Sequence, residues 1–65
     1  MEIVINGQRE ICHGRTIAGL VAGKGLTPES LVVELNGAIV KQEHWPVIRL
    51  KDGDALELLS FVGGG

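Results

Sequence analysis

The sequence predicts an α+β domain in which one main helix packs across a mixed sheet. Three observations carry this. Two Asn-Gly dipeptides, Asn6-Gly7 and Asn36-Gly37, each separate a pair of short apolar runs, which is the strongest short-range hairpin signal. One segment between them has helical rather than alternating apolar spacing, at Ile17, Leu20 and Val21. A last alternating run, Ala55 to Val62, follows the tight turn Lys51-Asp52-Gly53-Asp54.

Element by element, Glu2 to Ile5 reads as a strand and Gln8 to His13 as its return. A two-residue turn sets Ile5 against Gln8 and puts Met1, Ile3, Ile5 and Cys12 on one face, with Val4 and Ile11 on the other. The same register sets Glu10 beside Ile3, a conflict unless Glu10 stands at a sheet margin. Thr16 has the hydroxyl of a helix N-cap, and Gly23 and Gly25, flanking Lys24, end the helix. Thr27-Pro28-Glu29-Ser30 is a turn or a single helical turn. Leu31 to Leu35 and Ala38 to Lys41 form the second hairpin-like pair. Gln42 to Pro46 reads as irregular, with Pro46 ending any helix there, Trp45 capping one end of the core and Val47 to Leu50 extended. A hairpin, a crossing helix and a last strand returning parallel beside the first make the β-grasp arrangement, a two-layer solution.

Composition bounds the function. The chain has 65 residues, 45% of them hydrophobic, enough for one thin core and no second domain. A body this small hardly encloses a substrate pocket, so a binding or carrier module is expected rather than an enzyme. The six basic residues, Arg9, Arg15, Lys24, Lys41, Arg49 and Lys51, are scattered and the net charge is −2, which argues against nucleic acid. No apolar run approaches the ~20 residues of a membrane span. The start MEIVIN lacks the regions of a signal peptide, and a lone cysteine gives no internal disulfide, so a cytoplasmic location is expected.

Side chains that carry chemistry are sparse. Cys12 reads as a small core residue, since reactivity needs an electropositive, accessible setting. His13 and His44 do not make metal-ligand spacing with it, and Gly23-Lys24-Gly25 is too short for a phosphate loop. The least ordinary feature is the run Gly63-Gly64-Gly65, which follows the last strand without a polar spacer. Glycine has the highest ordering cost and adds nothing to a core. A frayed end would usually also draw on Ser, Lys, Glu and Pro. The expected division is a β-grasp domain over 1–62 and a flexible tail over 63–65. A tail without Cβ atoms threads a narrow channel and leaves its terminal carbonyl open to attack. The backbone carboxylate of Gly65 is then the working group.

The chain ending Ser60-Phe61-Val62-Gly63-Gly64-Gly65 resembles the ThiS family, the sulfur carriers of bacterial thiamin biosynthesis, which have a ubiquitin-like β-grasp fold. The Asn6-Gly7 hairpin, the Asn36-Gly37 turn and Asp52-Gly53-Asp54 before the last strand match that family's plan, and the terminal Gly-Gly is its specific element. The resemblance implies that an E1-like adenylyltransferase (ThiF) adenylates Gly65 with ATP and that a sulfur donor system converts it to a thiocarboxylate. Thiazole synthase (ThiG) would then receive the sulfur. Gly64 is the required neighbour, and Gly63 matches only members with three glycines. No cofactor is implied on the chain itself, since the partner uses the ATP. The small subunit of molybdopterin synthase is similar in its tail but usually longer, and a protein modifier conjugated through Gly65 is a further alternative. For docking, Val4, Ile11, Leu59 and Phe61 share the face opposite the core and lie together where first and last strands are neighbours, with Phe61 as anchor and Glu34 and Glu57 as a polar rim.

Overall fold

The computed structural model describes residues 1–61. In chain order the elements are β1 (Glu2–Ile5), β2 (Gln8–Ile11), α1 (Ile17–Gly23), β3 (Leu31–Leu35), β4 (Ala38–Val40) and β5 (Ala55–Ser60). Two 3₁₀ segments, Pro28–Ser30 and Gln42–Val47, complete them. The strands form one mixed sheet in the order β2-β1-β5-β3-β4, with β1 and β5 parallel and the other neighbours antiparallel. This is the β-grasp order, with α1 as the crossing helix.

Both Asn-Gly turns have positive φ at both positions, 50° and 81° at Asn6-Gly7 and 51° and 87° at Asn36-Gly37. That is the type I′ geometry whose twist matches the flanking strands. It fixes the β1–β2 register at Ile5↔Gln8 and Ile3↔Glu10 and turns Ile3, Ile5 and Cys12 into the core. Glu10 therefore lies on the core side, as the sequence requires. The conflict resolves because β2 is an edge strand and the Glu10 carboxylate reaches the Lys24 ammonium at 2.8 Å, just past the end of α1. An inward-pointing charge on an edge strand also discourages pairing with another chain.

Thr16 caps α1, its hydroxyl accepting from the Gly19 N–H at 3.0 Å, and Ile17, Leu20 and Val21 are buried against the sheet. They meet Ile3, Val33, Leu56 and Leu58 from the strands. Trp45 closes the core between β4 and α1, with its indole N–H donating to the Val40 carbonyl at 3.0 Å. Cys12 is buried.

Four boundaries differ from the sequence expectation, the first being β2, which ends at Ile11 rather than His13 because its partner β1 begins at Glu2. Gln42–Val47 is a 3₁₀ segment with Pro46 inside it, not irregular chain. Proline's fixed φ near −65° falls in the 3₁₀ range, and so short a segment loses only one donor to it. That segment also takes Lys41 as its N-cap and Val47 as its last residue, which shortens β4 and the extended stretch after it. What remains of that stretch pairs through a bridge between Thr16 and Arg49, with the Ile17 N–H donating to Ile48 and the Leu50 N–H to Arg15. Finally, β5 ends at Ser60 rather than Val62. The Phe61 N–H still donates to the Ser30 carbonyl at 2.9 Å, but Ser30 belongs to a 3₁₀ segment and the ladder stops there. Among the described residues no helix is long and apolar enough to cross a membrane.

Candidate functional site: the open sheet face and the end of β5

The helix covers one face of the sheet. Strand alternation sends Leu56 and Leu58 into the core and Glu57 and Leu59 to the open face. On β3 the same alternation buries Leu31 and Val33 and turns Val32 and Glu34 outward. The β3–β5 register pairs Val32 with Leu59 and Glu34 with Glu57, while the β3–β4 register pairs Glu34 with Ile39. The open face thus carries an apolar end made of Val32, Leu59 and Phe61, an acidic centre and an exposed Ile39 on the edge strand. Leu59, Phe61 and Ile39 are 56%, 48% and 70% exposed, which is enough to bury on docking.

The four expected docking residues do not form one patch. Val4 pairs with Ala55, and Leu59 lies four positions further along β5, roughly 13 Å away at strand rise. Ile11 pairs with Glu2, further back and one strand further out. Leu59 and Phe61 are brought together; Val4 and Ile11 sit at the opposite end of the same face. Val32 stands opposite Leu59, and Ile39 lies two strands from β5, level with Glu57. Val32 was legible from its i, i−2 relation to Glu34, but Ile39 becomes a neighbour only through the long-range β3–β5 pairing.

Asparagine side chains clip β5 at its start and at Leu58, two residues before its end, a feature the turn signal alone does not show. At the start of the strand, the Asn36 carboxamide oxygen accepts from the Ala55 N–H at 2.9 Å and its amide donates to the Asp54 carboxylate at 3.0 Å. Asp54 is buried, and its other oxygen accepts from the Lys51 N–H at 2.7 Å. Further along, the Asn6 carboxamide accepts from the Leu58 N–H at 2.8 Å and donates to the Leu58 carbonyl at 3.3 Å. The strand that leads to the carboxyl terminus is therefore held by two side-chain clips in addition to its ladders with β1 and β3.

Among the described residues no group of three or more His, Cys, Asp or Glu is placed to hold a metal. Gly63, Gly64 and Gly65, and the expected boundary at Val62, lie outside the described residues.

The family model described as "ThiS family" matches residues 2–65. The chain is 36% identical to the thiazole synthase of Magnetococcus marinus, an alignment that takes in the whole chain and 20% of that protein. It therefore spans about a fifth of the length of that relative. It is 38% identical to the sulfur carrier protein ThiS of Bacillus subtilis over 50 residues, 77% of this chain and 76% of that one. The crystal structure of the thiamine biosynthesis protein (ThiS) from Geobacter metallireducens superposes with a TM-score of 0.85 at 32% identity, covering all of both chains.

Proposed function

The chain belongs to the ThiS family, and from that membership we propose that it is a sulfur carrier for thiamin biosynthesis, a protein cosubstrate and not an enzyme. The observation that carries the proposal is the reach of the family match, which runs through Gly65 and so includes the glycine run with the domain. The similarity to a protein named as a sulfur carrier supports the cargo. The similarity to part of a thiazole synthase supports a ThiG-like acceptor as partner.

In the proposed cycle the Gly65 carboxylate attacks the α-phosphorus of ATP in the active site of an E1-like, ThiF-like adenylyltransferase. Pyrophosphate leaves and an acyl adenylate forms. A carboxylate is a poor electrophile, and the mixed anhydride supplies the leaving group it lacks. Sulfide supplied by the donor system adds to the carbonyl, the acyl–oxygen bond to AMP breaks, and the terminus becomes a thiocarboxylate. In the thiazole synthase the thiocarboxylate sulfur bonds to that enzyme's substrate, water cleaves the acyl–sulfur bond, and the regenerated carboxylate re-enters the cycle. Gly64 and Gly63 give the terminus its slender approach. Val32, Leu59 and Phe61 hold the domain against the partner while the tail enters, with Glu34 and Glu57 meeting basic groups around them. The cytoplasm, where ATP and these enzymes meet, is the proposed location.

The test is intact mass after incubation with ATP, a ThiF-like adenylyltransferase and a sulfur source. The proposal expects a species heavier by the difference between sulfur and oxygen, mapped to Gly65. Chain that stays unmodified, or that appears conjugated to lysines of other proteins, overturns it.

A further inference from the structure

We infer that Asn6 is a positioning residue for activation of the carboxyl terminus: its carboxamide is the last tether on the β1 side of β5 and sets the direction in which the chain leaves the sheet. The inference rests on the carrier reading above.

The β1–β5 ladder contains Val4↔Ala55 and Ile5↔Leu56, and the Asn6 N–H still donates to the Leu56 carbonyl at 2.9 Å. At Asn6-Gly7 the chain turns away toward β2, so beyond Leu56 the backbone of β1 no longer lies beside β5. The Asn6 side chain takes over. One acceptor and one donor, both on Leu58, reproduce what another strand residue would offer. On the opposite edge β3 continues, with Leu31↔Ser60 and the Phe61 N–H on Ser30. Among the described residues, Leu58 is thus the last of β5 held from both sides. Past it, among the described residues, the strand is paired on the β3 side alone.

The turn does not itself demand this residue. A type I′ turn accepts Gly or Asp at its first central position as well as Asn. Only the carboxamide offers an acceptor for the Leu58 N–H and a donor for the Leu58 carbonyl together. Asn36 supplies a control built into the fold, because it sits in the same dipeptide and the same turn type but clips the start of β5 through Ala55 and Asp54. Each clip makes two hydrogen bonds, and the Asn36 clip, which includes one to the buried Asp54 carboxylate, is the costlier to lose. Only loss of the Asn6 clip loosens the end that leads to Gly65.

The experiment compares wild type, Asn6→Gly, Asn6→Asp and Asn36→Gly in carrier-dependent ATP–pyrophosphate exchange with a ThiF-like adenylyltransferase. Thermal unfolding and amide hydrogen exchange at Leu58, Leu59 and Phe61 are measured on the same samples. Freeing the stalk lowers the fraction of carrier poised for entry, so Asn6→Gly raises the KM for the carrier roughly five-fold and leaves kcat within about two-fold. Asn6→Asp, which keeps the acceptor and the turn, moves KM the same way. Asn36→Gly loses at least as much stability yet keeps the wild-type KM, and only the Asn6 variants speed exchange at Leu58 to Phe61. Asn6 variants with wild-type KM, or an equal KM rise in Asn36→Gly, overturn the inference. Wild type that supports no exchange of pyrophosphate overturns the carrier reading instead, and hydrogen exchange at Leu58 still decides whether Asn6 is the tether.

Discussion

Glu34 on β3 and Glu57 on β5 stand directly opposite each other on the open face of the sheet. Like charges in direct cross-strand register oppose the fold. A sheet face that keeps such a pair beside Val32, Leu59 and Ile39 is better suited to a basic, partly apolar partner than to solvent. Glu57→Gln is expected to stabilise the domain by about 0.5 kcal/mol, read as a higher urea midpoint with unchanged slope. The same substitution slows association with the adenylyltransferase and flattens its salt dependence, measured by stopped flow. A variant that is less stable and associates as fast as wild type contradicts this account of the pair.

In the proposed docking, Phe61 and Leu59 supply the apolar anchor. Phe61→Asp is expected to weaken adenylyltransferase binding at least about ten-fold while leaving the unfolding midpoint close to wild type, because the ring is half exposed and outside the core. Ile11→Asp, at the far end of the face, leaves affinity within about two-fold. Calorimetric titration separates the two. Equal losses would return Ile11 to the interface.

The core leaves little margin. Leu56 and Ile3 are almost wholly buried at the β1–β5 centre. Truncation of either to Ala is expected to cost about 2–5 kcal/mol, most of the stability of a domain this short, and chemical denaturation measures it. A cost below about 1 kcal/mol would mean that the sheet centre repacks.

Asp54 is a buried carboxylate satisfied by the Lys51 N–H and the Asn36 amide. Asp54→Ala strands both donors and is expected to cost about 1–3 kcal/mol, whereas Asp52→Ala, which loses one contact to the exposed Glu2 N–H, costs less. The ordering of the two midpoints is the check.

What the chain reveals of itself follows the range of each interaction. The Asn-Gly turns, the Thr16 cap, the α1 stripe and the Ile5↔Gln8 register are local, and each is readable from neighbouring residues. Period-two alternation assigns Val4, Ile11, Leu59 and Phe61 to a face but not to a height along it. The height depends on the parallel offset Val4↔Ala55, which no local pattern encodes, and that offset splits the expected patch. The adjacency of β3 and β5, which brings in Val32 and Ile39, is likewise a long-range outcome. Glu10 looked misplaced until Lys24 was brought to it across the end of the helix. Pro46 shows the reverse case, a residue whose usual role as a helix breaker does not extend to a 3₁₀ segment that shares its φ.

The most direct test of the central claim is to append one alanine after Gly65 and follow thiocarboxylate formation by intact mass, with ATP, adenylyltransferase and sulfur source in excess. The extended chain should fold and dock as wild type and gain no sulfur. Sulfur appearing on the extended chain at the wild-type rate would show that the free carboxylate of Gly65 is not the group on which the partners act.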